Sequence, residues 1–144
     1  MLTVGLIGAG RIGRVHASTI VQDEGSQLVA VADSVDENAK NLAKLCKVNP
    51  RSVDAIFEDN SIEAILIASS TDTHSDFIEK ASKAGKAILC EKPVDLSLAR
   101  AKRCLENTKS NEHLIMMGFN RRFDPNFVAL KKALDGGEIG TAEL

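Results

Sequence analysis

Three glycines near the amino terminus have a spacing that suits nucleotide binding. Gly8, Gly10 and Gly13 follow the G-x-G-x-x-G pattern directly after the apolar run at 2–7. That run is long enough for one buried strand, and an apolar pattern of helical spacing follows the glycines. In such a strand–turn–helix unit the glycines allow a tight turn, close approach of a pyrophosphate and close packing of the helix, whose first amides face the phosphates. The pattern therefore predicts a dinucleotide site.

A carboxylate follows the glycines at the distance that this site requires. The second apolar run, at 28–32, ends in Asp33, about 20 positions after Gly13, where a carboxylate accepts hydrogen bonds from the adenosine ribose. The alternative is a glycine turn followed by an ordinary surface aspartate. Ser34 and Val35 come next, so no arginine is present there to neutralise a 2′-phosphate, and the Asp33 charge would repel one. The sequence favours NAD over NADP.

Composition excludes several other classes of protein. The chain has 144 residues, enough for one domain with a core, and a net charge of −2 without Trp or Tyr, which argues against nucleic-acid binding. Its three cysteines show no C-x-x-C spacing and are predicted to be reduced thiols of a cytoplasmic protein. No signal peptide, membrane-spanning run or metal site is predicted.

The elements that must position these residues alternate along the chain. Apolar strands and amphipathic helices in alternation predict an α/β fold, a Rossmann-type doubly wound parallel sheet, with its ligand outside the carboxyl ends of the strands. The clearest central strand lies at 62–68, whereas Pro50 interrupts 47–51, so the third strand is expected to be reduced or absent. The other expected features are a capping box at 34–37, a helix at 52–57, a polar loop at 69–74, a helix at 75–84, a strand at 87–90, a helix capped by Asp95 or Ser97, a strand at 114–117 and a last helix from Pro125.

With these elements in place, the chain resembles the glucose–fructose oxidoreductase/inositol dehydrogenase (GFO/IDH/MocA) family. The resemblance spans the whole chain and is carried by GLIGAGRIG at 5–13, SSTDTH at 69–74, AGKAILCEKP at 84–93 and GFNRRFDP at 118–125. The last segment most resembles the inositol 2-dehydrogenase branch. The resemblance implies an NAD-binding Rossmann domain at 1–120. It also implies a linker helix and the truncated start of a C-terminal open-sheet domain at 121–144, the remainder of that domain being missing.

The resemblance also implies an activity. It is the NAD-dependent oxidation of a secondary alcohol on a cyclic polyol or sugar, such as myo-inositol, in a full-length protein that is a homo-oligomer. Lys92 would be the catalytic residue, close to the nicotinamide and the substrate hydroxyl, because a desolvated lysine can share a proton or polarise a forming carbonyl. The alternative for Lys92 is an exposed lysine before a proline. In the catalytic role the Lys92–Pro93 bond can be cis, which would direct the lysine into the cleft. Other functions left open are an NADP-dependent sugar oxidoreductase of the same family and a non-catalytic NAD(H)-binding module.

Further site residues follow from the same resemblance. Thr71 and His74 would line the pyrophosphate and nicotinamide ribose, although His74 could instead be a helix-start residue satisfied by backbone groups. Asn120 and Arg121 would approach the nicotinamide. The full set predicted to bind the cofactor is Gly8, Gly10, Arg11, Ile12, Gly13, Asp33, Ser69, Thr71, His74, Glu91, Asn120 and Arg121.

The family's main acid–base group is a histidine in a D-x-x-x-H pair of the second domain. His16, His74 and His113 do not stand in such a pair, and His16 and His113 are expected to be structural or exposed. The chain by itself is therefore expected to bind NAD weakly and turn over little, because positioning and acid–base catalysis each contribute orders of magnitude in rate. An unpaired strand edge after Ile139 predicts self-association.

Overall fold

The computed structural model of the chain describes residues 1–111, 113–141 and 143, and six parallel strands form one sheet within them. The strands are β1 (Leu2–Ile7), β2 (Ser26–Ala32), β3 (Asn49–Pro50), β4 (Ala64–Ile67), β5 (Ala87–Cys90) and β6 (Ile115–Met117). Their order is β3-β2-β1-β4-β5-β6, which reverses between β1 and β4. The prediction of a doubly wound Rossmann-type sheet is confirmed, and the reversal marks the point where such sheets bind ligands.

Helices cover the two faces of the sheet. They are α1 (Arg11–Gln22), α2 (Asp36–Cys46), α3 (Val53–Glu58), α4 (Thr71–Lys83) and α5 (Leu98–Thr108). A 3₁₀ turn at Asn120–Phe123 and a further helix, α6 (Pro125–Asp135), follow β6. On one face Ala17 of α1 and Leu42 of α2 join one buried cluster, and on the other Ile78 of α4 and Cys104 of α5 join a second. All four residues of β4 are buried, as expected of a central parallel strand.

The third strand is present but short. Its two residues, Asn49 and Pro50, pair with Ala30 and Val31 of β2. Pro50 has no amide hydrogen and is compatible only with the edge of a sheet, which is where β3 lies.

Two local predictions for helix starts are wrong. The residue before α2 is Val35 rather than Ser34, and no side chain caps this helix, because the Asp33 carboxylate accepts the Val35 amide at 2.8 Å and sets the turn. The segment at 69–74 is not a loop before a helix: α4 begins at Thr71 after Ser70. Its first turn therefore contains most of the residues that were expected in the loop.

The segment after β6 extends away from the sheet. Phe123, Phe127 and Leu130 are 66%, 46% and 50% exposed, so their apolar side chains do not pack into the core. The Asp124 carboxylate caps α6 by accepting the amides of Asn126 and Phe127. Among the described residues, no helix combines the length and the apolar character that crossing a membrane requires.

Candidate functional site

The turn between β1 and α1 can be built only from glycine at two positions. Gly8 has a φ of +105°, which only glycine adopts without strain. In addition, a Cβ at this position would lie 2.3 Å from the Ala68 carbonyl oxygen. A Cβ on Gly13 would lie 1.9 Å from the Gly8 carbonyl oxygen. These two glycines therefore allow the strand, the turn and the helix to approach one another.

Gly10 has a different role, because it leaves space rather than avoiding a collision within the protein. Apart from Gly10 itself and its two chain neighbours, no atom lies within 4 Å of the position that a Cβ on Gly10 would take. Gly10 precedes α1, where no side chain caps the helix and no acidic residue occupies the first turn. The amides of Arg11, Ile12 and Gly13 thus begin a helix whose positive end is free to meet an anion.

The Asp33 carboxylate is held firmly by the backbone. One oxygen accepts the Ala9 amide at 2.7 Å and the other accepts the Val35 amide at 2.8 Å. A carboxylate offers about four acceptor positions, so each oxygen retains capacity for a ligand hydroxyl. The glycine turn and Asp33 are thereby joined into one unit.

A crevice of about 420 Å³ lies between this unit and the start of α4. Its lining residues are Ile7, Gly8, Gly10, Asp33, Ser34, Val35, Asn38, Val53, Ala68, Ser69, Ser70, Thr73 and Phe77. Sequence reasoning missed Thr73, which lies among them where Thr71 does not. The Thr73 hydroxyl is 2.7 Å from that of Ser69 and donates to the Ser70 carbonyl. In a helix, residues two positions apart point in different directions, and the early start of α4 decides which threonine reaches the crevice.

Of the two roles predicted for His74, the structure shows that of a helix-start residue bonded to backbone groups. The residue is 1% exposed, and its Nδ1 and Nε2 lie 2.7 Å from the Pro93 carbonyl and 3.1 Å from the Ser69 carbonyl. It is a helix-start residue whose ring is paired with backbone carbonyls. The ring therefore offers no surface to a cofactor and instead joins two loops of the site.

A second opening of about 340 Å³ lies beside Lys92, lined also by Phe119, Asn120 and Arg121. Lys92 is exposed and its bond to Pro93 is cis, as the sequence allowed. The Arg121 guanidinium lies 4.8 Å from the ring centre of Phe127. The structure therefore brings three of the predicted residues around one opening at the carboxyl edge of the sheet.

Glu91 and His16 form a contact that the sequence did not reveal. Nε2 of His16 lies 2.8 Å from Oε1 of Glu91, and the two side chains are 24% and 22% exposed. The residues are 75 positions apart, so no local pattern could have paired them. His16 is thus a residue of the site that sequence reasoning missed.

The cysteines and the acidic residues do not form a further reactive or metal-binding centre in the described part of the chain. Burial raises the pKa of the Cys90 thiol to about 12, so this thiol remains protonated and belongs to the core. The three cysteines are free. Among the described residues, no three His, Cys, Asp or Glu side chains are grouped so that they could hold a metal ion.

The parallel sheet, the glycine turn and the fixed carboxylate at the strand-order reversal define a dinucleotide-binding domain of the Rossmann class. A family model described as "Oxidoreductase family, NAD-binding Rossmann fold" matches residues 2–119. The chain belongs to this family, GFO/IDH/MocA, and the resemblance noted from the sequence is confirmed.

Individual relatives agree in fold along nearly the whole chain. Inositol 2-dehydrogenase of Rhizobium meliloti is 46% identical over 97% of this chain and 42% of that protein. The crystal structure of a myo-inositol dehydrogenase from Corynebacterium glutamicum has a TM-score of 0.90 and 40% identity, covering 99% of this chain and 43% of that one. That of scyllo-inositol dehydrogenase from Lactobacillus casei with bound NAD(H) and scyllo-inositol has a TM-score of 0.86 and 27% identity, covering 97% and 42%. The chain therefore spans less than half the length of these relatives.

Proposed function

We propose that the chain is the NAD-binding part of a dehydrogenase that oxidises a secondary alcohol of a cyclic polyol, with inositols as the substrate class. The observation that carries the proposal is the crevice in which Gly10 leaves space beside the uncapped start of α1 and Asp33 stands fixed opposite. The names of relatives with 46% and 40% identity support the substrate class.

The environment of Asp33 favours NAD over NADP. Both carboxylate oxygens are tied to backbone amides, so the charge cannot turn away from a 2′-phosphate. None of the residues that line this crevice in the described part of the chain is Lys or Arg. An added phosphate would thus meet a fixed negative charge without a compensating positive one.

Each group of the site then has a defined task. The bound cofactor supplies the hydride acceptor. The first amides of α1 hold the pyrophosphate and Asp33 holds the adenosine ribose, while Ser69 lies on the opposite wall. Lys92, at the second opening, stabilises negative charge that develops on the substrate oxygen as the alcohol loses its proton. Thr71, Glu91, Asn120 and Arg121 remain predicted cofactor contacts.

The proposal includes the remaining properties of the whole protein. The segment at 121–144 leads into a second domain that covers the substrate and provides the acid–base histidine. The whole protein is cytoplasmic and homo-oligomeric. The free thiols support the first of these statements, and the exposed apolar side chains of α6 support an intermolecular or interdomain contact.

A fluorescence titration tests the cofactor site directly on this chain. Because the sequence has no Trp or Tyr, the emission of bound NADH is read without protein background. We expect NADH to bind and NADPH to bind at least about tenfold more weakly. Asp33→Ala should narrow that ratio, whereas the matched control Glu24→Ala, an exposed acid outside the crevice, should leave it unchanged. Absence of NADH binding at millimolar concentration contradicts the cofactor site, and equal binding of both nucleotides contradicts NAD selectivity.

The substrate class is tested on the protein at the full length of its gene. We expect NADH formation, followed at 340 nm, with myo-inositol or scyllo-inositol and NAD. Lys92→Ala should lower kcat by about 10²-fold or more while NADH still binds. Failure to reduce NAD with any cyclitol or sugar rejects the substrate class, and unchanged turnover in the variant rejects the role of Lys92.

A further inference from the structure

The segment Glu91–Val94, here called the Lys92 loop, is held on both sides of Lys92. On one side the Glu91 carboxylate accepts a hydrogen bond from the ring of His16 at 2.8 Å. On the other side Nδ1 of His74 lies 2.7 Å from the Pro93 carbonyl oxygen. Two histidines from different helices therefore contact the residues that flank the exposed lysine.

These helices are the ones that begin at the crevice. His16 lies in α1, which starts at the glycine turn, and His74 lies in the first turn of α4, which starts after Ser70. Ser75 of α4 adds a hydrogen bond from its hydroxyl to the Val94 carbonyl at 3.2 Å. The position of the Lys92 loop is thus coupled to both walls of the crevice through side chains.

The Glu91 carboxylate is confined as well as bonded. A Cβ on Gly118 would lie 3.2 Å from its Cδ and from both of its oxygens, so the residue after β6 leaves just enough space for it. The Gly118 amide in turn donates to the Cys90 carbonyl at 2.7 Å. Because a side chain packed against backbone has few other rotamers, the contact with His16 fixes one arrangement of the loop.

We infer that His16 and Glu91 act as a pair of positioning residues that set the distance between Lys92 and the phosphate-binding turn. The inference rests on the proposed function, since it takes Lys92 to lie beside the nicotinamide. In this role the pair acts through the position of Lys92 and not by contact with the phosphates or the reacting carbon. The pair connects α1, whose first amides are proposed to hold the pyrophosphate, to the end of β5, which Lys92 follows.

Substitutions at His16 separate positioning from a general effect on folding. His16→Leu keeps apolar volume and removes the hydrogen bond to Glu91, while His16→Gln carries its amide nitrogen at the position of Nε2 and restores a donor. We expect hydrogen exchange of the peptide that contains the Lys92 loop to accelerate by about threefold or more in the leucine variant and to remain near the parent value in the glutamine variant. This arm needs no ligand.

Binding then shows whether the effect reaches the nicotinamide end. We expect His16→Leu to weaken NADH about fivefold and to leave ADP-ribose, which lacks the nicotinamide, within about twofold of the parent. Equal weakening of the two ligands, unchanged exchange and affinity in the leucine variant, or failure of the glutamine variant to restore both, overturns the inference. Lack of NADH binding by the parent chain rejects the proposed function instead, and the exchange comparison still decides whether His16 holds the loop.

A reciprocal variant guards against loss of folding. Glu91→Ala breaks the pair from the other side, and circular dichroism with thermal unfolding verifies that each variant is folded. Adding His16→Leu to Glu91→Ala should produce no further change in loop exchange, because one contact cannot be lost twice. Additive effects of the two substitutions would show that the residues act independently and would overturn the pairing.

Discussion

The two ends of the parallel sheet treat their polar groups in opposite ways. At the amino end of the strands, side chains close on one another and on the backbone. At the carboxyl end several side chains are paired as well, but the first amides of α1 have no side-chain cap and Lys92 is exposed. The comparison indicates that a ligand is expected only where the fold leaves hydrogen-bonding capacity unused.

Lys86 illustrates the closed end. It is 3% exposed, and its Nζ donates to the carbonyl oxygens of Asp59 at 2.6 Å and Ile62 at 2.8 Å. Burial lowers the pKa of Lys86. Nearby, the Glu63 carboxylate accepts the amide and the hydroxyl of Thr3 at 2.9 and 3.0 Å, which lowers the pKa of Glu63. These groups pair with one another and stabilise the fold.

The open end is built from Gly10, whose Cβ position is empty, and Lys92, which is exposed. The same strands end at both edges of the sheet, so the backbone alone does not distinguish the two edges. The side chains next to the strand ends do: those at the amino edge stabilise the fold, and those at the carboxyl edge are available to bind a ligand.

The largest expected effect comes from Gly13→Ala, which places a Cβ 1.9 Å from the Gly8 carbonyl oxygen. We expect it to destabilise the fold by about 3 kcal/mol, because helix and strand must separate. Gly10→Ala is the matched control. Because no atom outside its chain neighbours lies within 4 Å of the new Cβ, this variant should keep the stability of the parent, and it should weaken NADH binding at least about tenfold by filling the space of the pyrophosphate. Urea unfolding and NADH titration measure both quantities. NADH affinity equal to that of the parent in Gly10→Ala would contradict the proposal that the pyrophosphate binds in the space beside Gly10.

A smaller effect is expected from Lys86→Met at the closed end. It leaves the carbonyls of Asp59 and Ile62 without their donor and should lower the free energy of unfolding by about 2 kcal/mol. The exposed residue Lys40 provides the control, since Lys40→Met should change stability by less than about 0.5 kcal/mol. NADH affinity of the folded protein should be unchanged in both variants. A loss of affinity in Lys86→Met would show that the two ends are not separate.

The smallest effect concerns acid stability. Hydrogen bonds from the hydroxyl and amide of Ser61, together with Arg51, lower the pKa of Asp59 to about 2 from 3.8. Because the folded pKa lies below the unfolded one, this stabilisation is present at neutral pH and is lost as the pH falls from about 5 toward 2. Asp59→Asn should therefore flatten the fall of the urea midpoint across that range, while Glu24→Gln should follow the parent. Parallel curves for parent and Asp59→Asn would exclude this contribution.

Local patterns in the sequence determined the class of fold and one half of the site. The spacing of Gly8, Gly10 and Gly13, the apolar strand before them and Asp33 after β2 all lie within one β-α-β unit, so chain connectivity alone brings them together. The same holds for the parallel sheet, which follows from the alternation of strands and helices. For the third strand, Pro50 was the one local sign that it would be short.

Only the tertiary structure decided which residues from later strands and helices lie beside the glycine turn and Asp33. The pairing of His16 with Glu91 depends on how β5 sits relative to α1. The rotation of α4 decides that Thr73 lines the crevice and Thr71 does not. The burial of His74 and of Lys86 depends on what packs over them. Sheet register and helix rotation result from the packing of the whole core, and a side chain's immediate neighbours in sequence do not contain that information.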